Sequence, residues 1–340
     1  MREATLIVNL GSPDSYAVAD VRRYLGEFLM DERVIDFPKW LRTFLIKGII
    51  LNTRPKKSAA AYKSIWWDEG SPLIVLSKRL KEAVQKETEQ PVALAMRYGN
   101  PSIKATMDEL LKAHPDLEKV SLIPLYPHYA MSSYETVVVK TREVFEQFFP
   151  HLELRVKGPF YNDERYIKIL ADSMRNYLEE QKPDYVLFSY HGVPEQQIRK
   201  SDASKGHCLN VANCCAKDSP VQYFCYRHQT LKTTELVAKE LGLEEGKYSS
   251  SFQSRLGPIK WLDPYTDKTI AELAEKGVKK LAVVCPAFVS DCLETIEEIG
   301  EEAKEIFEEH GGEDFILIPC LNDQQPWAKL LANFGTELYV

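Results

Sequence analysis

Short apolar runs rich in β-branched residues alternate along the chain with longer stretches whose apolar positions recur at helical spacing. Residues 5–9, 92–96, 120–124 and 152–156 read as buried strands in the first half, and 185–189, 248–252, 280–284 and 315–318 in the second. Between them, 102–112, 164–180 and 266–276 carry the pattern of amphipathic helices. Strands alternating with helices imply crossover connections and parallel sheets, so the expected fold class is α/β. No low-complexity segment and no Gly/Ser linker divides the chain.

The two halves echo each other. Leu6-Ile7-Val8-Asn9-Leu10-Gly11-Ser12-Pro13 shares its Gly-x-Pro ending with Leu187-Phe188-Ser189-Tyr190-His191-Gly192-Val193-Pro194. Later, Leu122-Ile123-Pro124 leads to Tyr134-Glu135-Thr136 much as Val283-Val284-Cys285 leads to Leu293-Glu294-Thr295. The shared order predicts two similar domains, residues 1–160 and 161–340, facing one another. Ligands of such sheets sit outside the carboxyl ends of the strands, which directs attention to the loops that close each echo and to a cleft between the domains.

Composition narrows the function classes. The chain has 340 residues, 44% of them hydrophobic and 27% charged, as in a globular protein with a sizeable core. Its net charge of -7 argues against a nucleic-acid partner, which would call for a basic surface. Met1-Arg2-Glu3-Ala4 runs straight into a strand pattern without a signal-like apolar run. The longest apolar stretch, residues 41–51, is broken by Arg42 and Lys47, too short and too charged for a span. The expectation is a cytoplasmic protein whose seven cysteines are reduced or metal-bound.

Several constellations carry chemistry. His191 ends an apolar strand beside Gly192, a place for an acid/base group or ligand, or for a structural cap of the turn. Glu294 starts a series Glu294, Glu298, Glu302 that α-helical spacing would put on one face; for Glu298 and Glu302 the expected role is a solvated acidic face. The stretches Phe252–Pro258 and Lys260–Asp267, with Arg255, Trp261 and Tyr265, suit a flat ligand with carboxylate arms, since Trp stacks and Arg pairs bidentately. Arg97-Tyr98-Gly99-Asn100-Pro101 and Tyr126-Pro127-His128-Tyr129 are similar strand-end loops, though core aromatics and turn prolines explain either. Cys208, Cys214, Cys215 and Cys225 fall in a stretch without strong helical or strand pattern, flanked by His207 and His228. Four thiols so close suggest a metal site, in which His207 or His228 could substitute, with a spacing unlike paired zinc modules; free thiols are the alternative. Cys285, Cys292 and Cys320 read as ordinary small core residues.

Together these motifs resemble one family. Ser189-Tyr190-His191-Gly192-Val193-Pro194 and Ser290-Asp291-Cys292-Leu293-Glu294-Thr295 look like ferrochelatase signatures. So do Gln253–Pro258 with Trp261–Asp267, Asn9–Pro13 and Glu69-Gly70-Ser71-Pro72-Leu73, in the family's order from about residue 5 to residue 330. The resemblance implies two Rossmann-like domains around a porphyrin cleft, and insertion of ferrous iron into protoporphyrin IX. His191 matches the family's active-site histidine, metal ligand or pyrrole-proton acceptor. Glu294 matches its partner carboxylate, with Asp291 ahead of it in the same motif. Cys292 stands where many relatives have histidine. Trp261, Arg97 and Tyr98 match cleft residues, and Leu10 the pocket floor.

The same resemblance bears on the cysteines. Residues 207–225 look like an insertion relative to compact family members. Some ferrochelatases bear a [2Fe-2S] cluster, often on a C-terminal extension; this chain ends soon after Gln325-Pro326-Trp327, so an internal [2Fe-2S] on Cys208, Cys214, Cys215 and Cys225 is expected ahead of zinc. The apolar residues Phe37, Trp40, Leu41, Phe44, Leu45, Ile46 and Ile49–Leu51 resemble the lip over the family's cleft, which implies peripheral membrane contact; a buried core helix is the alternative. Coproporphyrin as substrate, another class II chelatase acting with cobalt or nickel, and a haem or iron–sulfur sensor without activity are the competing functions. The sequence leaves the oligomeric state open.

Overall fold

The computed structural model describes residues 2–337. β1 (Glu3–Asn9), β2 (Val92–Met96), β3 (Lys119–Pro124) and β4 (Glu153–Val156) form a parallel sheet in the order β2-β1-β3-β4. β5 (Tyr185–His191), β6 (Tyr248–Gln253), β7 (Lys280–Val284) and β8 (Asp314–Ile318) repeat that order as β6-β5-β7-β8. The echo between the halves is therefore an echo of topology: β1 and β5 hold the same place in their sheets. The strand order is the doubly wound one whose direction reverses between the first and third strands, which sets each unit's ligand crevice there.

The central strands are apolar on both faces because helices cover a parallel sheet on both sides. In β1 every residue from Ala4 to Asn9 is buried, whereas the edge strands β4 and β8 stay partly exposed. Helix starts follow local chemistry. The Ser102 hydroxyl accepts from the Ala105 N–H to open Ile103–Ala113, and Asp163 caps Glu164–Gln181 through the Arg165 N–H.

The chain folds into two compact units, but no single cut at residue 160 separates them. One holds residues up to Tyr126, Met131–Gly158 and those from Asn322 onward; the other holds Pro127–Ala130 and Pro159–Leu321. The C-terminal helix Gln325–Thr336 returns to the first unit, packing on the Pro72–Lys86 helix and on β1 and β3. Trp327, Leu330, Leu331 and Phe334 recur at i, i+3, i+4 and i+7 and are all buried. Gly335 belongs there because a Cβ would stand 2.1 Å from Thr5 Oγ1.

Among the described residues three segments are π-helices: Phe44–Ile50, Met131–Glu135 and Glu294–Ala303. Their i→i+5 bonding replaces the α spacing expected for the Glu294, Glu298, Glu302 series. Among the described residues, no helix is long and apolar enough to cross a membrane.

Candidate functional site

In the second unit, His191 closes β5 and the Glu294 segment follows β7, so both lie at that sheet's reversal point. The half-buried imidazole is fixed by its own turn: Nδ1 lies 2.6 Å from the Gly192 carbonyl and donates to it, so Nε2 is the ring nitrogen outside that bond. The His191 carbonyl accepts from the Tyr226 hydroxyl at 2.8 Å, and the Phe288 ring meets the imidazole with centroids 6.2 Å apart. Gly192 is required by close packing, since a Cβ there would lie 2.8 Å from the Gln253 carbonyl and 3.3 Å from Trp261 Cε3. Trp261 is held beside this turn by its indole N–H, which donates to the Leu256 carbonyl at 3.1 Å. The Leu262 N–H bond to the Val193 carbonyl, 3.0 Å, pins the same stretch.

Gln253 and Ser254, at the end of β6, organise the carboxylates. Buried Gln253 donates to the Glu294 carbonyl at 2.8 Å and accepts from Ser189 at 2.8 Å. The Ser254 hydroxyl makes a short bond to Glu298 Oε2, with Ser254 in a left-handed backbone conformation (φ 60°). Such a conformation at a non-glycine residue is uncommon and gathers at functional sites. Burial pushes the Glu298 carboxyl above the usual carboxylate range; the Ser254 bond and the charge of His191 oppose that rise, and the charge of Glu294 adds to it.

The expectation of a solvated face at Glu298 is therefore corrected. Glu298 is half-buried and hydrogen-bonded beside Glu294, while Glu302 is exposed as expected. The cause is the π-helix, together with polar residues at a strand end, Gln253-Ser254, whose reach to Glu298 no periodicity reveals. Asp291 turns to structure, accepting from the Thr295 hydroxyl at 2.9 Å and from the Cys320 N–H at 3.4 Å. Cys292, Cys285 and Cys320 are buried, and desolvation raises their thiols well above the ordinary value, as befits inert core residues.

In the first unit, Leu10 follows β1, its N–H on the Asn9 side chain (2.8 Å) and its carbonyl accepting from the Tyr98 N–H (2.8 Å). Arg97 and Tyr98 are already engaged. Arg97 pairs with Asp31, stacks over the Tyr98 ring at 4.2 Å and donates from Nε to Thr136 Oγ1 at 2.7 Å. The Tyr98 hydroxyl, on a side chain 1% exposed, donates to Asp31 at 2.9 Å, and Thr136 does so at 2.5 Å. Burial alone would raise the Asp31 carboxyl, but Thr136, the Arg33 N–H, Arg97 and Tyr98 outweigh it and hold it low. Asp31 and Thr136 escaped the sequence reading because nothing near either in the chain marks it as a partner of Arg97.

The cysteine segment is built around Asp202, whose buried carboxylate accepts from the backbone N–H groups of Ser204, His207 and Cys208 at 2.8–2.9 Å. Despite burial, these donors and the Ser204 hydroxyl lower it to about 2. Cys208, Cys214 and Cys225 are buried and Cys215 is half-buried. The neighbouring Cys208 pushes the Cys225 thiol up to about 12. Leu209 N–H points at Cys214 Sγ (3.4 Å) and Arg227 at Cys215 Sγ (3.6 Å). His207 and His228 each donate one ring N–H to a cysteine carbonyl, Cys214 at 2.9 Å and Cys215 at 2.8 Å, rather than facing sulfur with that nitrogen. Among the described residues, no three His, Cys, Asp or Glu side chains are arranged to hold a single metal ion.

Comparison with known proteins converges on one family. The ferrochelatase family profile matches residues 2–337. The ferrochelatase of Azotobacter vinelandii is 53% identical over 333 residues, covering 97% of each chain. That of Pseudomonas syringae pv. syringae is 50% identical over 329 residues, covering 96% of each. Among solved structures, SirB from Bacillus subtilis with Fe3+ has a TM-score of 0.51 at 13% identity, covering 98% of this chain and 94% of its own. The cobalt complex of sirohydrochlorin chelatase SirB from Bacillus subtilis subspecies spizizenii has a TM-score of 0.53 at 11% identity, covering 98% and 92%. At those identities the two structures speak for a shared fold alone. With its profile matched almost end to end and half its residues identical to those of full-length relatives, the chain belongs to the ferrochelatase family.

Proposed function

We propose that the protein inserts Fe2+ into protoporphyrin IX to form haem, with His191 as proton acceptor and Glu294 and Glu298 as its carboxylate partners. One observation carries this reading. The His191 imidazole, its Nδ1 bonded to its own turn, stands at the reversal point of the second sheet within electrostatic reach of a carboxylate held by Ser254 and Gln253. A porphyrin must lose two pyrrole protons as the metal enters, and Fe2+ must exchange water for other oxygen or nitrogen donors. His191 Nε2 takes a pyrrole proton. Burial raises the Glu298 carboxyl, which favours its holding a proton and passing it on, while Glu294 offers oxygen to the incoming metal. Trp261, pressed on Gly192, gives the macrocycle a rigid face, and binding energy spread over the ring offsets its bending. Leu10 adds apolar contact. Arg97 and Tyr98 shape the wall through Asp31 instead of reaching for carboxylate arms, and Asp291 holds the start of the Glu294 helix.

The test is anaerobic assay of the purified protein with Fe2+ and either protoporphyrin IX or coproporphyrin, read by the haem spectrum. Insertion into protoporphyrin is expected. Faster turnover of coproporphyrin would replace the substrate, and no insertion into either would leave a sensor as the better reading.

The same proposal places a [2Fe-2S] cluster on Cys208, Cys214, Cys215 and Cys225. Four cysteines on one short segment, with Leu209 N–H and Arg227 donating to sulfur, support an all-sulfur site, since iron–sulfur clusters take thiolates and are tuned by such donors. When bound, the cluster would supply an electron-accepting centre and a cross-link for the loop. Anaerobically purified protein should be reddish-brown with about two irons and two sulfides per chain. Serine at any of the four positions should bleach it, and serine at Cys285, Cys292 or Cys320 should not. A colourless protein with stoichiometric zinc would reject the cluster.

We further propose that the protein works in the cytoplasm with peripheral membrane contact. Trp40 (73% exposed), Phe44 (62%) and Ile49 (47%) stand out beside exposed Lys39 and Lys47, the arrangement of an interfacial surface and not of a core helix. Anionic liposomes should float the protein, and Trp40→Ala with Phe44→Ala should release it. Flotation equal to that of a soluble control would refute the contact.

A further inference from the structure

One buried contact joins two parts of the second unit that the mechanism treats separately. Cys225 is the residue on which the Tyr226–Leu241 helix begins, its carbonyl accepting from the Gln229 N–H at 3.1 Å. The next residue, Tyr226, sends its hydroxyl to the main-chain oxygen of His191 at 2.8 Å. Its position is set from both sides. The Cys225 N–H donates to the Gln222 carbonyl at 3.1 Å, and Gln222 and His228 hold the Cys215 carbonyl at 3.4 and 2.8 Å. The ring packs edge-on against His128 at 6.0 Å, and His128 packs edge-on against Tyr190, the neighbour of His191 in β5, at 5.5 Å. His128 Nε2 is anchored on Thr233 Oγ1 at 2.9 Å, and burial lowers its pKa to about 3, so it stays neutral.

We propose that Tyr226 is a positioning residue through which the order of the four-cysteine loop sets the placement of the His191 imidazole. An ordered loop fixes Cys225, Cys225 fixes the first turn of the helix, and the Tyr226 hydroxyl fixes the carbonyl of the residue whose ring does the chemistry. His191 Nδ1 bonds to the Gly192 carbonyl one peptide further on, so a shift of this strand end moves the ring. The inference rests on His191 being the proton acceptor, and it holds whether the thiols carry a cluster or stand as thiols.

Tyr226→Phe keeps the ring and removes only the donor. It should lower kcat roughly tenfold with the KM for porphyrin unchanged, in line with the loss of other second-layer partners of catalytic groups. It should also move the nuclear magnetic resonance signals of the His191 ring, which loss of a remote packing contact would leave in place. Tyr190→Phe, whose hydroxyl bonds Thr234 and not His191, should move neither. The decisive arm is coupling. Cys225→Ser should shift the His191 ring signals in the Tyr226 chain but not in the Tyr226→Phe background. An equal shift in both backgrounds, or none in either, overturns the proposal, as does wild-type kcat in folded Tyr226→Phe. If Tyr226→Phe does not fold, 3-fluorotyrosine at position 226, a stronger donor of nearly the same size, must shift the ring signals; unmoved signals overturn it equally. Iron and sulfide analysis of the unsubstituted protein reports separately on the cluster, and assay of His191→Ala reports on the base.

Discussion

His191→Ala is expected to lose metal insertion by about 10²- to 10⁴-fold, the range supplied by a positioned acid–base group, while melting close to the unsubstituted protein. The two halves of that expectation have different causes. The imidazole's own hydrogen bond reaches only the adjacent Gly192 carbonyl, and its ring touches Phe288 by an edge, so truncation forfeits little packing. The Tyr226 bond survives, because it is made to the main chain. What disappears is the ring nitrogen at the reversal point that the proposed mechanism uses to take up a pyrrole proton. Stopped-flow insertion assays beside thermal unfolding separate the effects. Ordinary turnover by a folded variant would remove His191 from the mechanism and with it the main support for the chemistry proposed here.

The second large effect is on stability. Asp31→Ala should destabilise the first unit by about 3–5 kcal/mol, because it strands the Arg97 guanidinium, 12% exposed, without its counter-charge and takes the acceptor from Tyr98 and Thr136. The folded-state pKa of Asp31 lies below its unfolded value of about 3.9. Its stabilisation is therefore fully present above that unfolded value and is lost as pH falls through the folded value. Unfolding free energies measured by urea titration should converge for the two proteins as pH drops below about 4. A gap unchanged down to strongly acidic pH would mean that the carboxylate charge is not what holds Arg97.

How much of this could be read from the chain depends on the range of the interaction. β1, β2, β3, β5 and β7 were legible because a strand buried on both faces must be almost wholly apolar, as in Leu6-Ile7-Val8 and Leu281-Ala282-Val283-Val284, and because loops interrupt such runs; the partly exposed β4, β6 and β8 were legible from their place in the alternation with helices. His191 and Glu294 were legible as polar residues following those runs. The π-helices were not, since Ile46 and Ile49, or Ile296 and Ile299, fit either helical period over so short a stretch. Glu298 was misread for that reason and because its partners Ser254 and Gln253 lie more than forty positions earlier. Asp31 illustrates the same limit, since it meets Tyr98 and Thr136 only after β2 and the 136–148 helix have been brought together. The C-terminal return to the first unit was equally hidden; Trp327, Leu330, Leu331 and Phe334 say that the helix has an apolar face, not which sheet it covers.

That return has a consequence for synthesis. The second unit is interposed in the chain between the bulk of the first and the helix Gln325–Thr336 that covers part of β1 and β3. A nascent chain that has made β3 must grow by about two hundred residues before this cover leaves the ribosome, roughly 10–40 s at bacterial-type elongation rates. Once β8 has been made, residues 159–321 hold every strand of their own sheet, while Leu331 and Phe334 are still missing from the first sheet's surface. Vectorial folding should thus finish the later-encoded unit first and leave the earlier one waiting, the period in which a chaperone would be of most use to this protein.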